Sequence, residues 1–102
     1  MDWKDAILEA DLIEGEGVFA RVEGLAVALF LSEGDLFAID DACPHSRTAQ
    51  LSQGFVDGTM VECPLHQSCF DLRTGKVQSP PATEDVRTWP TRIVDGMVQI
   101  GL

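Results

Sequence analysis

With 102 residues, of which 45% are hydrophobic and 24% charged, the chain has the composition of an ordinary folded domain. This length suits one domain around one core and is too short for two. The formal net charge of −10 argues against nucleic acid and anionic membrane as partners, because an acidic surface repels phosphate. The longest apolar run, Leu25 to Leu31, is far shorter than the roughly 20 residues that cross a bilayer, so we expect no membrane span.

The cysteine count and the first residues indicate a compartment. The start, MDWKDAILEAD, has none of the basic and apolar pattern of a secretory signal, and three cysteines would leave one thiol over in any disulfide scheme. We therefore expect a cytoplasmic protein. The acids are concentrated in residues 1–41, eleven against two bases, while residues 42–102 hold six acids and five bases. That acidic half either keeps the domain soluble or meets a basic patch on another protein.

The predicted elements are short strands, taken here in chain order. Residues 5–14 fit a short helix or, nearly as well, a strand followed by a turn. After them come six runs rich in β-formers: VFARV (18–22), LAVALFL (25–31), LFAI (36–39), TMVE (59–62), VRTW (86–89) and GMVQI (96–100). In the first of these runs, Val18, Ala20 and Val22 are predicted to share the inner face. The seven apolar residues from Leu25 predict a strand that is covered on both sides.

Glycine turns separate these runs at the spacing of an antiparallel sandwich or barrel. The clearest is Asp95-Gly96, because a two-residue hairpin of this type needs positive φ. Pro80-Pro81 cannot lie inside a central strand and predicts a rigid loop. The fold class predicted is therefore all-β, with one domain over residues 1–102.

Two loops hold every histidine and two of the three cysteines. Cys43-x-His45 and Cys63-x-x-His66 are separated by 17 residues that contain GFVDGTMVE, which reads as a hairpin. A hairpin returns the chain to its starting end, so the two loops can face each other. Thiolate and imidazole donors at these spacings bind either zinc or an iron–sulfur cluster.

The alternation of one cysteine and one histidine in each loop, with Pro44 and Pro64 after the cysteines, resembles the Rieske family of [2Fe–2S] proteins. The resemblance covers essentially the whole chain. It implies a Rieske fold, with a sandwich- or barrel-like base and a cluster-binding subdomain of two hairpin loops at about 43–81. It also implies one [2Fe–2S] cluster whose inner iron is held by Cys43 and Cys63 and whose outer iron is held by His45 and His66.

The same resemblance assigns residues around the cluster. High-potential Rieske proteins join the two loops by a disulfide, but Thr48 and Leu65 stand at those positions here. They also place a tyrosine where this chain has Phe70, whereas Ser68 matches a serine that donates to a bridging sulfide. Pro81 belongs to the proline loop that covers the cluster in this family. These features together predict a low-potential centre.

Three residues near the loops have no place in the four-ligand pattern. Cys69 adjoins the second loop and is interpreted as a small buried hydrophobic residue, in preference to a redox-reactive thiol. Arg47 and Arg73 flank the loops, and each would either contact an acidic partner or be solvated.

The function implied is that of a soluble, monomeric one-electron carrier without catalytic residues. It would pass electrons from a flavin-containing, NADH-dependent ferredoxin reductase to the Rieske centre of a terminal oxygenase that hydroxylates aromatic rings. Both histidines are already used as cluster ligands, so the mononuclear iron site of an oxygenase has no histidines left. Two alternatives are the small Rieske-like subunit of an assimilatory nitrite reductase and a zinc-stabilised interaction module.

Overall fold

The structure is a computed structural model and describes residues 1–46, 48–65 and 67–102. Over these residues the chain forms ten strands and two short 3₁₀ turns, Glu9–Asp11 and Leu51–Gln53. The strands are β1 (Trp3–Leu8), β2 (Gly17–Val22), β3 (Leu25–Ser32), β4 (Asp35–Asp40), β5 (Phe55–Asp57), β6 (Met60–Glu62), β7 (Cys69–Asp71), β8 (Thr88–Trp89), β9 (Thr91–Val94) and β10 (Met97–Gly101). None of the helices in the described residues is long and apolar enough to span a membrane.

The strands of the described residues pair antiparallel into three sheets. One has the order β1-β10-β9, a second β2-β3-β4-β8, and a third, smaller sheet β5-β6-β7. The predicted all-β antiparallel architecture is confirmed. The Asp95-Gly96 hairpin is also confirmed, since it joins β9 to β10 with φ values of 51° and 78° at its two residues.

The first segment is a strand, not a helix. Trp3 pairs with Gly101 and Leu8 with Met97, so β1 lies along the last strand of the chain, and only the three residues after it turn as 3₁₀. The helix alternative is therefore wrong. Local pattern left the choice open because pairing with a strand some ninety residues away decides it.

Two strands were missed in the sequence. β7 has only three residues, and β9 has no alternation of buried and exposed positions because three of its four residues are exposed. Both are short strands defined by their pairing with β6 and β10, although three of the four residues of β9, Thr91, Ile93 and Val94, are β-formers.

Strand β3 lies between two hydrophobic cores. Val27 and Leu29 point into the core shared with Val98 and Ile100 of β10, which closes the base of the molecule. Ala28 and Phe30 point the other way, into a core that contains both Cys43 and Cys63. All four β3 residues are fully buried, which confirms the prediction of a strand covered on both sides.

Candidate metal centre

The first cysteine loop, residues 43–49, leaves β4 and is closed on itself by main-chain hydrogen bonds. The Cys43 N–H donates to the Ala49 carbonyl at 3.1 Å, and the Ser46 and Ala49 N–H groups donate to the carbonyls of Cys43 and Ser46 at 3.1 and 3.0 Å. Cys43 is completely buried while His45, two residues on, is exposed. The loop therefore directs its thiol inward and its imidazole towards the surface.

The second loop is the connection between β6 and β7. The Cys63 N–H donates to the Ser68 carbonyl at 2.8 Å, and this bond joins the two ends of the connection. Cys63 is 1% exposed, and Leu65 at the other side of the loop is 60% exposed. His66 and Arg47 lie outside the described residues.

The thiols of Cys43 and Cys63 are neighbours in the buried core. Burial raises the pKa of the Cys43 thiol, and the adjacent Cys63 thiol raises it further, while backbone N–H groups of His45 and Ser46 that hydrogen-bond the sulfur act in the opposite direction. All three cysteines of the chain lie in the described residues, and all are free thiols. Two adjacent, buried and unoxidised thiols, with N–H donors aimed at one sulfur, suit a shared soft metal that binds thiolate.

The donor set suits a [2Fe–2S] cluster, with two thiols buried together and one imidazole at the surface. Within the described residues, no three histidine, cysteine or acidic side chains gather as ligands of one ion. A two-iron cluster needs only two protein ligands per iron, because its sulfides complete each coordination shell. Cys43 and Cys63 are one such pair, and exposed His45 is available for the other.

A loop containing the two prolines is hydrogen-bonded to the second cysteine loop. The Ser68 hydroxyl, fully buried, accepts from the Ala82 N–H at 2.8 Å. Ser79 accepts from the Cys69 N–H and donates to the Gln67 carbonyl, both at 3.0 Å. Pro81 itself is exposed, so this loop is a cover with one face in water. Ser79 and the Ala82 N–H were missed in the sequence, where only the proline pair gave a signal.

Phe70 and Cys69 occupy opposite faces of β7. Phe70 is fully buried in the core with Cys43 and Cys63, and its ring offers no hydroxyl. Cys69 is half-buried and lines a shallow surface pocket of about 230 Å³ with Phe55 and Met60. Its interpretation as a buried hydrophobic residue is thus only partly correct.

Arg73 is exposed, as the solvated alternative expected, and it also forms an ion pair within the chain. Its guanidinium binds the buried carboxylate of Asp71 through two atoms, Nε at 3.2 Å and Nη2 at 3.0 Å, and the Arg73 N–H donates to the same carboxylate at 2.8 Å. These side-chain hydrogen bonds lower the pKa of Asp71. Arg73 therefore fixes the turn after β7.

Comparison with known proteins gives the same assignment from independent data. A family model for the Rieske-like [2Fe-2S] domain matches residues 2–101. The ferredoxin component of the naphthalene 1,2-dioxygenase system of Pseudomonas putida is 39% identical over 100 residues, which are 98% of this chain and 95% of the relative. The anthranilate 1,2-dioxygenase ferredoxin subunit of Burkholderia cepacia is 48% identical over 84 residues, 81% of this chain and 77% of that one.

Solved structures agree in fold over nearly the whole chain. A ferredoxin of Sphingomonas yanoikuyae B1 superposes with a TM-score of 0.88 at 34% identity, covering 96% of each chain. A chain from the complex of reduced oxygenase and oxidised ferredoxin in carbazole 1,9a-dioxygenase gives 0.84 at 28% identity and covers 95% of this chain and 99% of that one. A nitrite reductase small subunit from Mycobacterium tuberculosis gives 0.85 at 30% identity, with coverages of 97% and 93%.

Proposed function

This chain belongs to the Rieske-like [2Fe–2S] domain family, and from that premise we propose that it is the ferredoxin component of an aromatic-ring-hydroxylating dioxygenase system. It carries a Rieske-type [2Fe–2S] cluster and acts as an electron carrier, not as the catalytic subunit. The terminal oxygenase is its electron acceptor. The observation that carries the proposal is the pair of buried thiols on facing loops in a chain that matches dioxygenase ferredoxins over almost its full length.

We assign four ligands to the cluster. Cys43 and Cys63 would hold the inner iron, and His45 and His66 the outer one. When bound, the cluster supplies a one-electron couple, whose charge changes from zero to −1 with two thiolate and two neutral imidazole ligands. Burial of the two cysteines keeps water from the sulfur side, and exposure of His45 leaves a short path from the other side to a docked partner.

The first experiment tests the cofactor and its ligands. Purified protein is analysed for iron and acid-labile sulfide, and the reduced form is examined by low-temperature EPR, where mixed nitrogen and sulfur ligation lowers the average g-value. We expect Cys43→Ser and Cys63→Ser to lose the cluster and Cys69→Ser to keep it. Wild-type protein that contains neither iron nor sulfide, or a Cys69→Ser protein that loses both, would contradict the assignment.

The remaining parts of the proposal concern partners and state. We propose that electrons arrive from a flavin-containing, NADH-dependent reductase, that the protein is a cytoplasmic monomer, and that residues 1–102 act as one Rieske domain with its cluster subdomain at about 43–81. Support comes from the family's ferredoxin components and from the arrangement of the described residues around one pair of cores. Stopped-flow reduction by such a reductase, together with the mass measured by light scattering, tests these statements.

One alternative rests on the likeness to the nitrite reductase small subunit. A subunit of that kind would stay in a permanent stoichiometric complex with a large reductase chain, whereas a carrier purifies alone and exchanges partners. Isolation of the native protein from its source separates the two. The zinc-stabilised module is separated by colour, since a zinc protein is colourless and a [2Fe–2S] protein is red-brown.

A further inference from the structure

Asp41 is a buried carboxylate two residues before the first ligand cysteine. It is only 2% exposed, in a position between the end of β4 and the loop that begins at Cys43. Carboxylates are rarely buried to this extent unless their oxygens are satisfied, because removal from water disfavours the charge. The hydrogen bonds of Asp41 therefore indicate its structural role.

The carboxylate and the carbonyl of Asp41 hold the two ends of the first loop together, and its N–H bonds to β3. Oδ1 accepts from the Ser52 N–H at 2.9 Å and Oδ2 accepts from the Gln50 side-chain amide at 3.2 Å. Its carbonyl accepts from the Leu51 N–H at 2.6 Å, and its N–H donates to the Ala26 carbonyl at 3.1 Å. Asp41 thus connects the start of the loop to the three residues that follow it, Gln50 and Ser52 through its side chain and Leu51 through its carbonyl.

The geometry requires two acceptor oxygens on one side chain. The donors are a backbone N–H and a side-chain amide from different residues, one on each oxygen, and an asparagine offers only one oxygen. A side chain with two oxygens, such as that of Asp41, therefore suits this position better than an asparagine.

Among the residues that the structure describes, no cation is paired with this carboxylate. Its two hydrogen-bonding partners are neutral. Arg87 is close in the fold but pairs with the preceding residue, Asp40, at 2.8 Å. A charge buried in this way is screened far less than one in water.

We propose that Asp41 is a positioning residue for the first ligand loop and that its buried charge holds the reduction potential of the cluster below the value that a neutral residue would give. Adding an electron to the cluster places negative charge near an existing negative charge, so the reduced form is the one disfavoured. The inference rests on the proposed ligand set and not on the identity of the partners.

The test is the reduction potential of Asp41→Asn, measured by redox titration of the purified protein at fixed pH and followed by visible circular dichroism. Asp57→Asn is the matched control, since Asp57 is exposed on β5 and the same charge is removed in water. We expect Asp41→Asn to shift the potential to more positive values than Asp57→Asn, with unchanged iron and sulfide contents and unchanged g-values. A shift no larger than that of the control, or a negative one, would overturn the inference.

A second variant covers the case in which Asp41→Asn does not retain the cluster. Gln50→Lys leaves the bond from Asp41 to the Ser52 N–H in place and brings a cation to the oxygen that Gln50 now contacts. Gln53→Lys adds the same charge at an exposed neighbour. We expect a larger positive shift for Gln50→Lys, and equal shifts would refute the role of Asp41. A wild-type protein without a cluster would instead refute the ligand set itself.

Discussion

Ser68 is the residue on which the covering loop depends most directly. Its hydroxyl is the acceptor for the Ala82 N–H, and both residues are buried, so Ser68→Ala leaves that N–H without a partner. Such a loss costs about 1 to 3 kcal/mol. For a domain of this size each kcal/mol lowers the melting temperature by about 4 to 8 °C. We expect this drop in thermal unfolding followed by circular dichroism.

The control for Ser68 is Ser46→Ala in the first loop. The Ser46 hydroxyl contacts the Thr48 hydroxyl at 3.0 Å in an exposed position, with no other hydrogen bond to the described residues, so its removal should cost less than about 0.5 kcal/mol. Equal melting temperatures for the two variants would show that the Ser68 bond contributes nothing. If the hydroxyl also donates to a bridging sulfide, as the resemblance implies, Ser68→Ala lowers the reduction potential as well.

Asp71 and Arg73 predict a pH dependence. Hydrogen bonds from the Arg73 side chain hold the pKa of Asp71 below its ordinary value of 3.8. A carboxyl group whose pKa is lower in the folded state than in the unfolded state stabilises the folded state. This contribution is complete when the pH is above the pKa of the unfolded state, and it is lost as the pH falls through the pKa of the folded state. The difference in melting temperature between wild type and Arg73→Gln should therefore stay constant from about pH 8 to about pH 5 and shrink below about pH 4.

Arg92→Gln is the control for that measurement. The Arg92 guanidinium bonds to neutral Gln99 at 2.7 Å and lies 4.4 Å from the centre of the Trp3 ring, and no carboxylate in the described part of the chain forms an ion pair with it. Its effect on the melting temperature should not change over the same acidic range. A difference for Arg73→Gln that grows on acidification would contradict the assigned role of the ion pair.

At the scale of elements, the turn after β7 joins the small sheet to the segment before β8. Gly75 has a φ of +79°, donates to the Asp71 carbonyl at 2.7 Å and accepts from the Val86 N–H at 2.8 Å. A Cβ at this position would collide with the Val86 carbonyl oxygen. Gly75→Ala therefore combines an unfavourable backbone conformation, worth about 1 to 2 kcal/mol, with a steric clash worth about 1 to 3 kcal/mol.

Gly96→Ala separates these two costs, because Gly96 has nearly the same φ, +78°, and nothing within 4 Å of an added Cβ. In urea unfolding monitored by circular dichroism, we expect Gly96→Ala to show only the conformational cost and Gly75→Ala clearly more. If both variants lose the same stability, the contact between residues 75 and 86 is not a tight one.

How much of this could be read from the sequence depends on the range of the interactions. The alternation of Val18, Ala20 and Val22 and the apolar run from Leu25 predicted β2 and β3, because the hydrophobicity of neighbouring residues shows whether a strand is buried on one face or on both. The strand nature of residues 3–8 could only be settled by its pairing with β10. Likewise, the spacing of the cysteines predicted the site, but nothing in the sequence pointed to Asp41. Its partners Gln50 and Ser52 lie beyond the loop that it closes.

At the scale of the whole molecule, charge and site are segregated. Apart from Arg47, which lies outside the described residues, the stretches 42–52 and 63–70 carry no acidic side chain and no lysine or arginine, whereas residues 1–41 hold eleven acids. Docking through the loops should then depend on shape and apolar contact, with Leu65 60% exposed in the second loop. Electrostatic steering by the acids of residues 1–41 is screened at moderate salt.

We expect the rate of electron transfer to the oxygenase to depend weakly on salt. Between ionic strengths of roughly 0.01 and 0.15 M the screening length falls from about 30 to about 8 Å, and steered partners lose much of a rate gain of about 10- to 1000-fold. In stopped-flow measurements the change should be smaller than about tenfold, the lower end of that gain. A steeper decline would mean that charge guides the encounter. Leu65→Ala should slow transfer at every ionic strength.

Strand β3 has a consequence for any attempt to transplant the metal-binding part. Its two faces pack into separate cores. The core that contains the cysteines also includes residues from outside the segment 43–81: Ala28, Phe30 and Ile39 precede this segment, and Ala82 and Val86 follow it. A peptide that contains only the two loops and their hairpin would therefore lack part of the hydrophobic core against which the loops pack. A designer who moves this cofactor to another scaffold must carry over the middle of β3 and β4 with it, and the transferable unit is close to the entire chain.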